Sequence, residues 1–442
     1  MKFISARRGI AASIVATASV AAFVAPSAAN ASLPGKCKGS STEGAGSSLQ
    51  AEAQVIWDPG FSANKSVGCV GGPTVTYDSI GSGAGYKEWN EKEHFGTIGF
   101  VGTDNTVNQA EKESVEKKVE AGKESKLLTL PVLQGAVAIV VNLPEGCTAT
   151  SKAASGRLGL NQSTLEGIYK GSITNWDELN SVEGPKNVLT GAGCNSAIKP
   201  VVRLDGSGTT HIFKKFMNLT DGSPLASEDG KNHTWAELAE GSLSTKWPTA
   251  AKVVHAETET GPGLLKTVAK DPGSIGYANL ADARNPANGG FTGQSASRFW
   301  VELESSKTEK TTSKGVKITR KYVDPSKNKD VEASSEANCK DTEYANIGGS
   351  FAPTVEEPWN EVTAKAESKT YALCGLTYDL VLTDYEAYKG GTAGEAQTVI
   401  DFENYVLSTK GGAKEISKTH DYAALPKGLA PESQKGVEKI TG

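Results

Sequence analysis

Apolar runs alternate with amphipathic stretches from Thr42 to about Leu280, and no other feature of the chain restricts its fold as strongly. This alternation is typical of an α/β protein with mostly parallel strands. A helix is predicted directly after Ser48, because its apolar residues recur on one face, and a capping box of Ser163 and Glu166 predicts another helix. Strands are predicted at residues 74–80, 97–101, 135–142, 198–203 and 371–382.

The first 31 residues have the layout of an export signal. Lys2, Arg7 and Arg8 precede an apolar run, and the small residues that end at Ala31 predict cleavage there. The run is shorter than the roughly 20 apolar residues that span a membrane. We therefore expect a secreted protein, periplasmic or associated with the cell surface, that begins at Ser32.

The chain without this signal is acidic. Removing the three basic residues of the signal from the 46 lysines and arginines leaves 43 basic against 51 acidic residues, a net charge of −8. A nucleic-acid partner is disfavoured, because no basic excess is available to neutralise its phosphates. A chain of about 410 residues is too long for one ordinary core, so two domains are expected. We expect the protein to be a monomer.

All six cysteines remain after the predicted cleavage. Their even number in an exported chain favours disulfides, and the absence of a C-x-x-C spacing argues against a zinc site. Composition and spacing leave the connectivity open. Pairing in sequence order is favoured, because each such pair brackets the start or end of a predicted strand: Cys37 with Cys69, Cys147 with Cys194, and Cys339 with Cys374.

Four short segments place small and hydroxylated residues between the end of a strand and the start of a helix. A helix N-terminus presents unpaired N–H groups and a partial positive charge, so each segment is a candidate anion site. Glycine lets the backbone approach a ligand closely, and serine or threonine adds a hydroxyl donor. The segments are Gly44 to Ser48, Ile80 to Gly85, Gly99 to Asp104 and Arg203 to Thr209.

These segments match no nucleotide-cofactor motif. Gly81, Gly83 and Gly85 depart from the G-x-G-x-x-G spacing of dinucleotide sites, and the sequence contains no P-loop. None of the five histidines belongs to a metal motif such as H-E-x-x-H. No cofactor and no metal are therefore expected.

Taken together, the four segments resemble the phosphate-binding proteins of phosphate ABC importers, the PstS family. The Arg-x-Asp-Gly-Ser-Gly-Thr sequence that begins at Arg203 is the most specific match. The resemblance implies a two-lobed periplasmic-binding-protein fold of type II, in which each lobe is a mixed sheet flanked by helices. It also implies high-affinity binding of inorganic phosphate and its delivery to the membrane permease of an ABC importer. Further matches lie at residues 130–144, 164–177, 272–277, 410–414 and 421–426.

The resemblance implies that the chain crosses between the lobes twice, near Leu130 and near Tyr371. Residues 32–129 would form the first part of lobe 1, residues 130–369 would form lobe 2, and residues 370–442 would return to lobe 1 and complete it. A segment at about 291–368 matches the family poorly. Its stretch from Glu304 to Ala337 is rich in Ser, Thr, Lys and Glu, which favours an exposed hairpin or loop insertion.

By the same resemblance, both lobes contact phosphate. Lobe 1 would contribute the backbone and side chains of Ser48, Leu49, Ser82 and Asp104. Lobe 2 would contribute Arg203, its supporting partner Asp205, and the helix-start donors Ser207, Gly208 and Thr209.

The charged residues of this set also have a physical rationale of their own. The planar guanidinium of Arg203 suits an oxyanion, and Asp205 lies on the same side of an extended segment, where it is able to hold that guanidinium. A carboxylate such as Asp104 repels an anion unless the ligand has a proton to donate. Inorganic phosphate near neutral pH has such a proton, whereas sulfate has none. Helix capping is the alternative role for both aspartates.

Two other kinds of function stay open on the sequence alone. A secreted phosphatase or other hydrolase would use Ser207 as nucleophile and His211 as base, but the G-x-S-x-G elbow is missing and His211 is expected on a helix surface. A binding protein for another oxyanion, such as sulfate or molybdate, or an exported adhesion protein would keep the same fold. We favour binding without catalysis.

Overall fold

A computed structural model describes most of the chain after residue 32, and the predicted export signal lies outside the described residues. No helix in the described part is long and apolar enough to cross a membrane. The described residues are 33–218, 225–226, 230–239, 244–248, 254–294, 297–313, 315–327, 336–340, 342–345, 353–359, 362–365, 370–416, 420–426 and 428–442.

The strands and helices are numbered here in chain order. The strands are β1 (Thr42–Gly46), β2 (Val75–Asp78), β3 (Ile98–Thr103), β4 (Leu127–Asn142), β5 (Thr148–Ala149), β6 (Gly159–Leu160), β7 (Leu189–Thr190), β8 (Lys199–Arg203), β9 (Leu225–Ala226), β10 (Asn232–His233), β11 (Ala256–Thr258), β12 (Ser274–Asn279), β13 (Arg298–Trp300), β14 (Glu302–Thr312), β15 (Gly315–Val323), β16 (Tyr344–Ala345), β17 (Thr363–Ala364), β18 (Cys374–Leu382) and β19 (Tyr422–Ala423). The helices are α1 (Ala51–Ala63), α2 (Ser82–Asn90), α3 (Gln109–Glu116), α4 (Gln162–Lys170), α5 (Gly208–Met217), α6 (Trp235–Leu238), α7 (Gly261–Lys270), α8 (Leu280–Arg284), α9 (Ala393–Leu407), α10 (Gly412–Ile416) and α11 (Leu429–Val437).

Strand β4 is shared by two sheets. Its first part pairs antiparallel with β18, and its last part, residues 137–142, pairs antiparallel with β12. The strand order across both sheets is β11-β8-β12-β4-β18-β3-β1-β2. We call the side with β18, β3, β1 and β2 lobe 1, and the side with β12, β8 and β11 lobe 2. The predicted two-lobed α/β fold with mixed sheets is confirmed.

The outer strands of each lobe are parallel, as the alternating sequence pattern predicts. In lobe 1, β1 pairs parallel with both β2 and β3, and in lobe 2, β8 pairs parallel with β11 and β12. Within these two sheets, the antiparallel pairs all involve β4 or β18, and each of these two strands has antiparallel partners on both edges. The predicted crossing points lie within β4 and just before β18, and their positions stay a prediction.

The core follows from the apolar runs. Strand β4 is buried from Leu127 to Val141, which is typical of a strand covered on both faces. In lobe 1, the ring of Phe61 on α1 packs edge-on against Phe402 of α9, with 5.5 Å between the ring centroids. In lobe 2, Phe213 of α5 packs against Tyr277 of β12 at 4.6 Å, so the helix that follows β8 is fixed to the sheet.

Helix α4 begins differently from the prediction. Its N-cap is Asn161, whose side chain accepts a hydrogen bond of 2.9 Å from Thr164 N, so the predicted capping box of Ser163 and Glu166 is wrong. Glu166 is buried and accepts a hydrogen bond of 2.9 Å from Trp235 Nε1. Asn161, two residues before Ser163, is an equally good N-cap residue. Glu166 hydrogen-bonds to Trp235 rather than to the backbone at the helix start.

The predicted exposed hairpin is confirmed for β14 and β15, which pair antiparallel from Leu303 opposite Val323 to Thr312 opposite Gly315. Its base is attached to lobe 2, because β14 also pairs with β6 and the buried guanidinium of Arg157 contacts both Glu302 and Asp324. The outer part of the hairpin is exposed, as its polar composition predicts.

The three disulfides favoured by sequence order are confirmed. Cys37 bonds to Cys69, Cys147 to Cys194 and Cys339 to Cys374, with Cα–Cα distances of 5.2, 4.7 and 5.8 Å. Asp401 lies close to the first pair, but its Oδ2 accepts a hydrogen bond of 2.7 Å from Cys37 N and the two sulfur atoms are bonded to each other. That group is therefore a hydrogen-bonded disulfide.

Candidate anion-binding site

The four glycine- and hydroxyl-rich segments meet at one place between the lobes. Three of them follow or end the parallel strands β1, β2 and β3, whose carboxyl ends lie at one edge of the lobe 1 sheet. The fourth follows β8 in lobe 2 and faces them. Crevices at the carboxyl ends of strands are the usual ligand sites of open α/β sheets.

The loop after β1 is fixed by hydrogen bonds that involve both of its serines. Ser47 donates to the carboxylate of Asp104, and its Oγ accepts a hydrogen bond of 3.0 Å from Leu49 N. Ser48 Oγ accepts a hydrogen bond of 3.2 Å from Arg203 Nη1. Ser48 therefore connects lobe 1 to the arginine of lobe 2.

Gln50 holds this loop against the shared part of the sheet. Its buried amide donates to Thr377 Oγ1 at 2.8 Å, to the carbonyl of Tyr378 at 3.0 Å and to Asp379 Oδ1 at 3.0 Å. All three acceptors belong to β18, so the glutamine that follows Leu49 ties the start of α1 to the strand that returns from lobe 2.

Ser82 is the first residue of α2 and is buried. Its Oγ accepts a hydrogen bond of 3.2 Å from Asp104 N, which brings the segment after β2 against the end of β3. The preceding residue, Gly81, has φ of +94°, a backbone conformation that other residues rarely adopt. This turn aims the first N–H groups of α2 toward lobe 2.

Asp104 is a buried carboxyl at the end of β3, with 4% of its surface exposed. Burial raises its pKa to about 6, against the lowering effects of hydrogen bonds from Ser47 and Thr377 and of the Arg203 charge. At neutral pH the group is therefore close to its titration range. A ligand that has a proton to donate suits such an acceptor.

Arg203 and Asp205 form a two-pronged ion pair in lobe 2. The Nε and Nη2 atoms of Arg203 donate to the two carboxylate oxygens of Asp205, and Arg203 is 1% exposed. Asp205 Oδ1 also accepts a hydrogen bond of 3.3 Å from Thr260 N. The pair fixes the guanidinium plane, so that Nη1 is aimed at Ser48 and the loop after β1.

The start of α5 supplies backbone donors. Ser207 is the N-cap, and its Oγ accepts a hydrogen bond of 3.1 Å from Thr210 N. Gly208 and Thr209 are the first two helical residues, whose N–H groups have no acceptor within a helix. Both are buried, so these N–H groups form the end of a helix dipole inside the crevice.

The two lobes touch each other at this site. Gly83 N donates to the carbonyl of Gly206 at 2.9 Å. A Cβ on Gly208 would lie 2.6 Å from Ser82 Oγ and 2.7 Å from Asp104 Cβ, so a larger residue does not fit there. A cleft of about 800 Å³, lined in part by Ser82 and Asp205, adjoins the contact.

The structure thus brings together all eight candidate contacts and the supporting Asp205. The sequence did not single out Ser47 and Thr377, which hydrogen-bond to Asp104, or Asp282, which lies beside Ser48. Ser47 was visible as the neighbour of Ser48, but position in a loop does not show which serine faces a ligand. Thr377 and Asp282 lie on elements that reach the site only through the tertiary fold.

His211 is buried on α5, so its expected position on a helix surface is wrong. Its ring hydrogen-bonds to the backbone of Ala239, just after the short helix α6. Burial keeps the pKa of the ring well below its ordinary value. The spacing along α5 did not reveal that another element covers this face.

Comparison with curated proteins gives relatives over part of the chain. The phosphate-binding protein PstS of Haemophilus influenzae is 30% identical over 214 residues, which cover 48% of this chain and 52% of that protein. The phosphate-binding protein PstS 3 of Mycobacterium tuberculosis is 28% identical over 161 residues, 36% of this chain and 38% of that protein. The chain thus spans about half the length, or less, of the curated relatives it matches.

Solved structures share the fold over nearly the whole chain. A human phosphate-binding apolipoprotein superposes with a TM-score of 0.56 at 19% identity, covering 88% of this chain and 92% of that one. A phosphate-binding protein from Stenotrophomonas maltophilia gives a TM-score of 0.54 at 17% identity, covering 90% and 93%. The family model of the PBP superfamily domain matches residues 25–410. This chain therefore belongs to the PBP superfamily.

Proposed function

We propose that this protein binds inorganic phosphate outside the cytoplasmic membrane and delivers it to the permease of an ABC importer. One observation carries the proposal: the Arg203 fork, two helix starts and the carboxyl of Asp104 converge between two lobes. The relatives and solved structures reported above are named phosphate-binding proteins.

The donors suit a small tetrahedral oxyanion. Arg203 presents a planar, permanently charged fork, which is well suited to phosphate oxygens. The starts of α2 and α5 add N–H groups, and Ser48 and Ser82 add hydroxyls, so donors approach from both lobes. An anion held from both sides keeps the lobes closed, and release requires them to open.

Asp104 makes phosphate the preferred anion. The carboxyl is buried in the crevice, where it is able to accept a hydrogen bond from a protonated phosphate oxygen. Sulfate carries no proton at neutral pH, so it would leave a buried acceptor unpaired and place two negative charges together. This argument favours phosphate over sulfate or molybdate.

A hydrolase based on Ser207 and His211 finds little support. Ser207 Oγ accepts from the backbone of its own helix, and among the described residues no hydrogen bond joins it to the His211 ring. The ring is buried, and its pKa lies well below the ordinary value. A base that is shielded from solvent and not bonded to the nucleophile does not form a catalytic pair.

Isothermal titration calorimetry of the mature protein with phosphate, sulfate and molybdate tests the proposal. The protein is first unfolded and refolded to remove bound anion. We expect tight binding of one phosphate and at least a hundredfold weaker binding of sulfate. Absence of phosphate binding, or release of phosphate from a chromogenic ester, would contradict it. Sequencing the secreted protein from its N-terminus tests whether the mature chain begins at Ser32.

A further inference from the structure

Asp282, on α8, is a buried carboxyl to which the proposed phosphate contacts assign no role. It is 1% exposed, and neither of its oxygens accepts a hydrogen bond from the residues that the structure describes. Buried polar groups in folded proteins are nearly always hydrogen-bonded. A carboxyl with two unused acceptor atoms therefore needs an explanation.

The unused oxygens lie next to the anion site. A Cβ placed on Gly261, the first residue of α7, would lie 2.8 Å from Asp282 Oδ2 and 3.8 Å from Ser48 Oγ. Ser48 Oγ is the atom that accepts from Arg203 Nη1. Asp282 Oδ2 and Ser48 Oγ thus both border the start of a ten-residue helix and lie within about 7 Å of each other.

Asp282 and the lobe 1 groups near it lie on different lobes. Asp282 follows β12 and belongs to lobe 2, whereas Ser48 and Glu52 follow β1 and belong to lobe 1. Opening the lobes would separate these groups and admit water to the carboxyl. The environment of Asp282 is therefore expected to change with each cycle of binding and release.

The charges that face Asp282 are mostly negative. It interacts electrostatically with Glu52 on α1, with Arg203 and with Asp104, and Tyr422 of β19 lies near enough to feel its charge. Arg203 is the one cation in this set, and its charge is already shared with Asp205. An incoming anion would add a further negative charge to a buried site in which Arg203 is the one cation among these groups.

We propose that Asp282 is a second ligand-facing carboxyl, which takes up a proton when the lobes close on phosphate and donates it in a hydrogen bond to a phosphate oxygen. The inference rests on the proposed function. Burial raises the pKa of Asp282 well above its usual range, which agrees with a proton held at neutral pH. The proton comes from the buffer, so one proton is bound with each phosphate in addition to the protons that the anion carries.

Calorimetry in buffers of different ionisation enthalpy measures this proton directly. At pH 7, we expect Asp282→Asn to take up about one proton fewer per phosphate than the wild type. Because a proton is taken up, the affinity of the wild type for phosphate should weaken by up to about tenfold per pH unit above neutrality. The affinity of the variant should weaken less steeply. The Asn amide keeps a donor at the same position, so phosphate binding itself should persist.

Glu395→Gln is the matched control. Glu395 is another buried carboxyl with a raised pKa, of about 7, but its hydrogen bond comes from Thr42, at the opposite end of β1 from the site. Its replacement should leave the proton uptake on phosphate binding as in the wild type. If proton uptake fell in both Glu395→Gln and Asp282→Asn, the effect would belong to buried acids in general, and the assignment to Asp282 would be overturned.

Equal proton uptake and equal pH profiles in wild type and Asp282→Asn would also overturn the inference, while phosphate binding by the wild type would leave the proposed function intact. Should Asp282→Asn not fold, as judged by circular dichroism, Asp282→Ser provides the same comparison. Failure of the wild type to bind phosphate at any pH would refute the proposed function and the inference together.

Discussion

Replacing Arg203 with alanine removes the charged donor that joins the lobes at the anion site. The guanidinium is 1% exposed, binds both oxygens of Asp205 and donates to Ser48 Oγ. Its loss deletes the fork that would face phosphate. It also leaves Asp205 and Asp104 near the anion without a cation to compensate them.

The size of the effect follows from these contacts. A hydrogen bond to a charged group contributes about 1.5–3 kcal/mol, and breaking a buried ion pair costs about 3–5 kcal/mol, part of which already destabilises the ligand-free protein. We therefore expect Arg203→Ala to raise the Kd for phosphate at least a hundredfold, or about 3 kcal/mol. Ser82→Ala removes one neutral hydroxyl, which contributes about 0.5–1.5 kcal/mol, so its Kd should rise about tenfold or less.

Calorimetric titration of both variants at one pH and one salt concentration gives the comparison. Arg157→Ala is the control, because Arg157 is also a buried arginine (2% exposed) that contacts two carboxylates, Glu302 and Asp324, but in the base of the hairpin. It should lower the melting temperature without changing the Kd. Equal losses of affinity in Arg203→Ala and Ser82→Ala would refute the role assigned to the guanidinium.

The remaining predictions concern selectivity, motion and stability. The Asp104→Asn variant should still bind phosphate, but its phosphate-to-sulfate affinity ratio should be about tenfold or more below that of the wild type, because an amide replaces a repelling carboxylate. An unchanged ratio in parallel titrations would remove Asp104 from the selectivity mechanism. Small-angle scattering should show a smaller radius of gyration on adding phosphate, and tight binding without compaction would rule out a clamp. Burial raises the pKa of Glu395 to about 7 in the folded protein, so its contribution to the free energy of unfolding is lost as pH rises from about 4.5 to 7. In denaturant titrations, Glu395→Gln should remove this pH-dependent loss, which amounts to about 3 kcal/mol by pH 8. Replacing Cys147 and Cys194 together by alanine should lower the free energy of unfolding by about 2–4 kcal/mol. If the denaturant m-value is unchanged and the loss is below about 0.5 kcal/mol, other contacts hold this loop.

The sequence predicted the parts of the site that depend on local patterning. The glycine and hydroxyl segments follow apolar strands, and parallel strands bring their carboxyl ends to one edge of a sheet. This pattern alone predicts that Ser82 and Asp104 lie near each other. The Arg203–Asp205 pair was also predictable, because two residues of an extended segment face the same side.

What the sequence could not show depends on packing between distant segments. Thr377 contacts Asp104 only because β18 returns to lobe 1 beside β3. Asp282 lies on a five-residue helix with no motif, and only the tertiary fold brings it to the start of α7, near Ser48. Two local interpretations failed for the same reason: Trp235 engages Glu166, and the backbone near Ala239 covers His211.

The late return of β18 to the lobe 1 sheet limits the order in which the chain is able to fold. Lobe 1 contains the first strands of the described chain, yet β3 pairs with β18, which begins at Cys374. A partly synthesised chain would therefore have an unpaired sheet edge at β3 until its last part is made. Pairing of such sequence-distant strands is slow, and an unpaired strand edge is prone to aggregation. A nascent chain ending before β18 would carry all eight proposed phosphate contacts, but it would lack the strand that pairs with both β3 and β4.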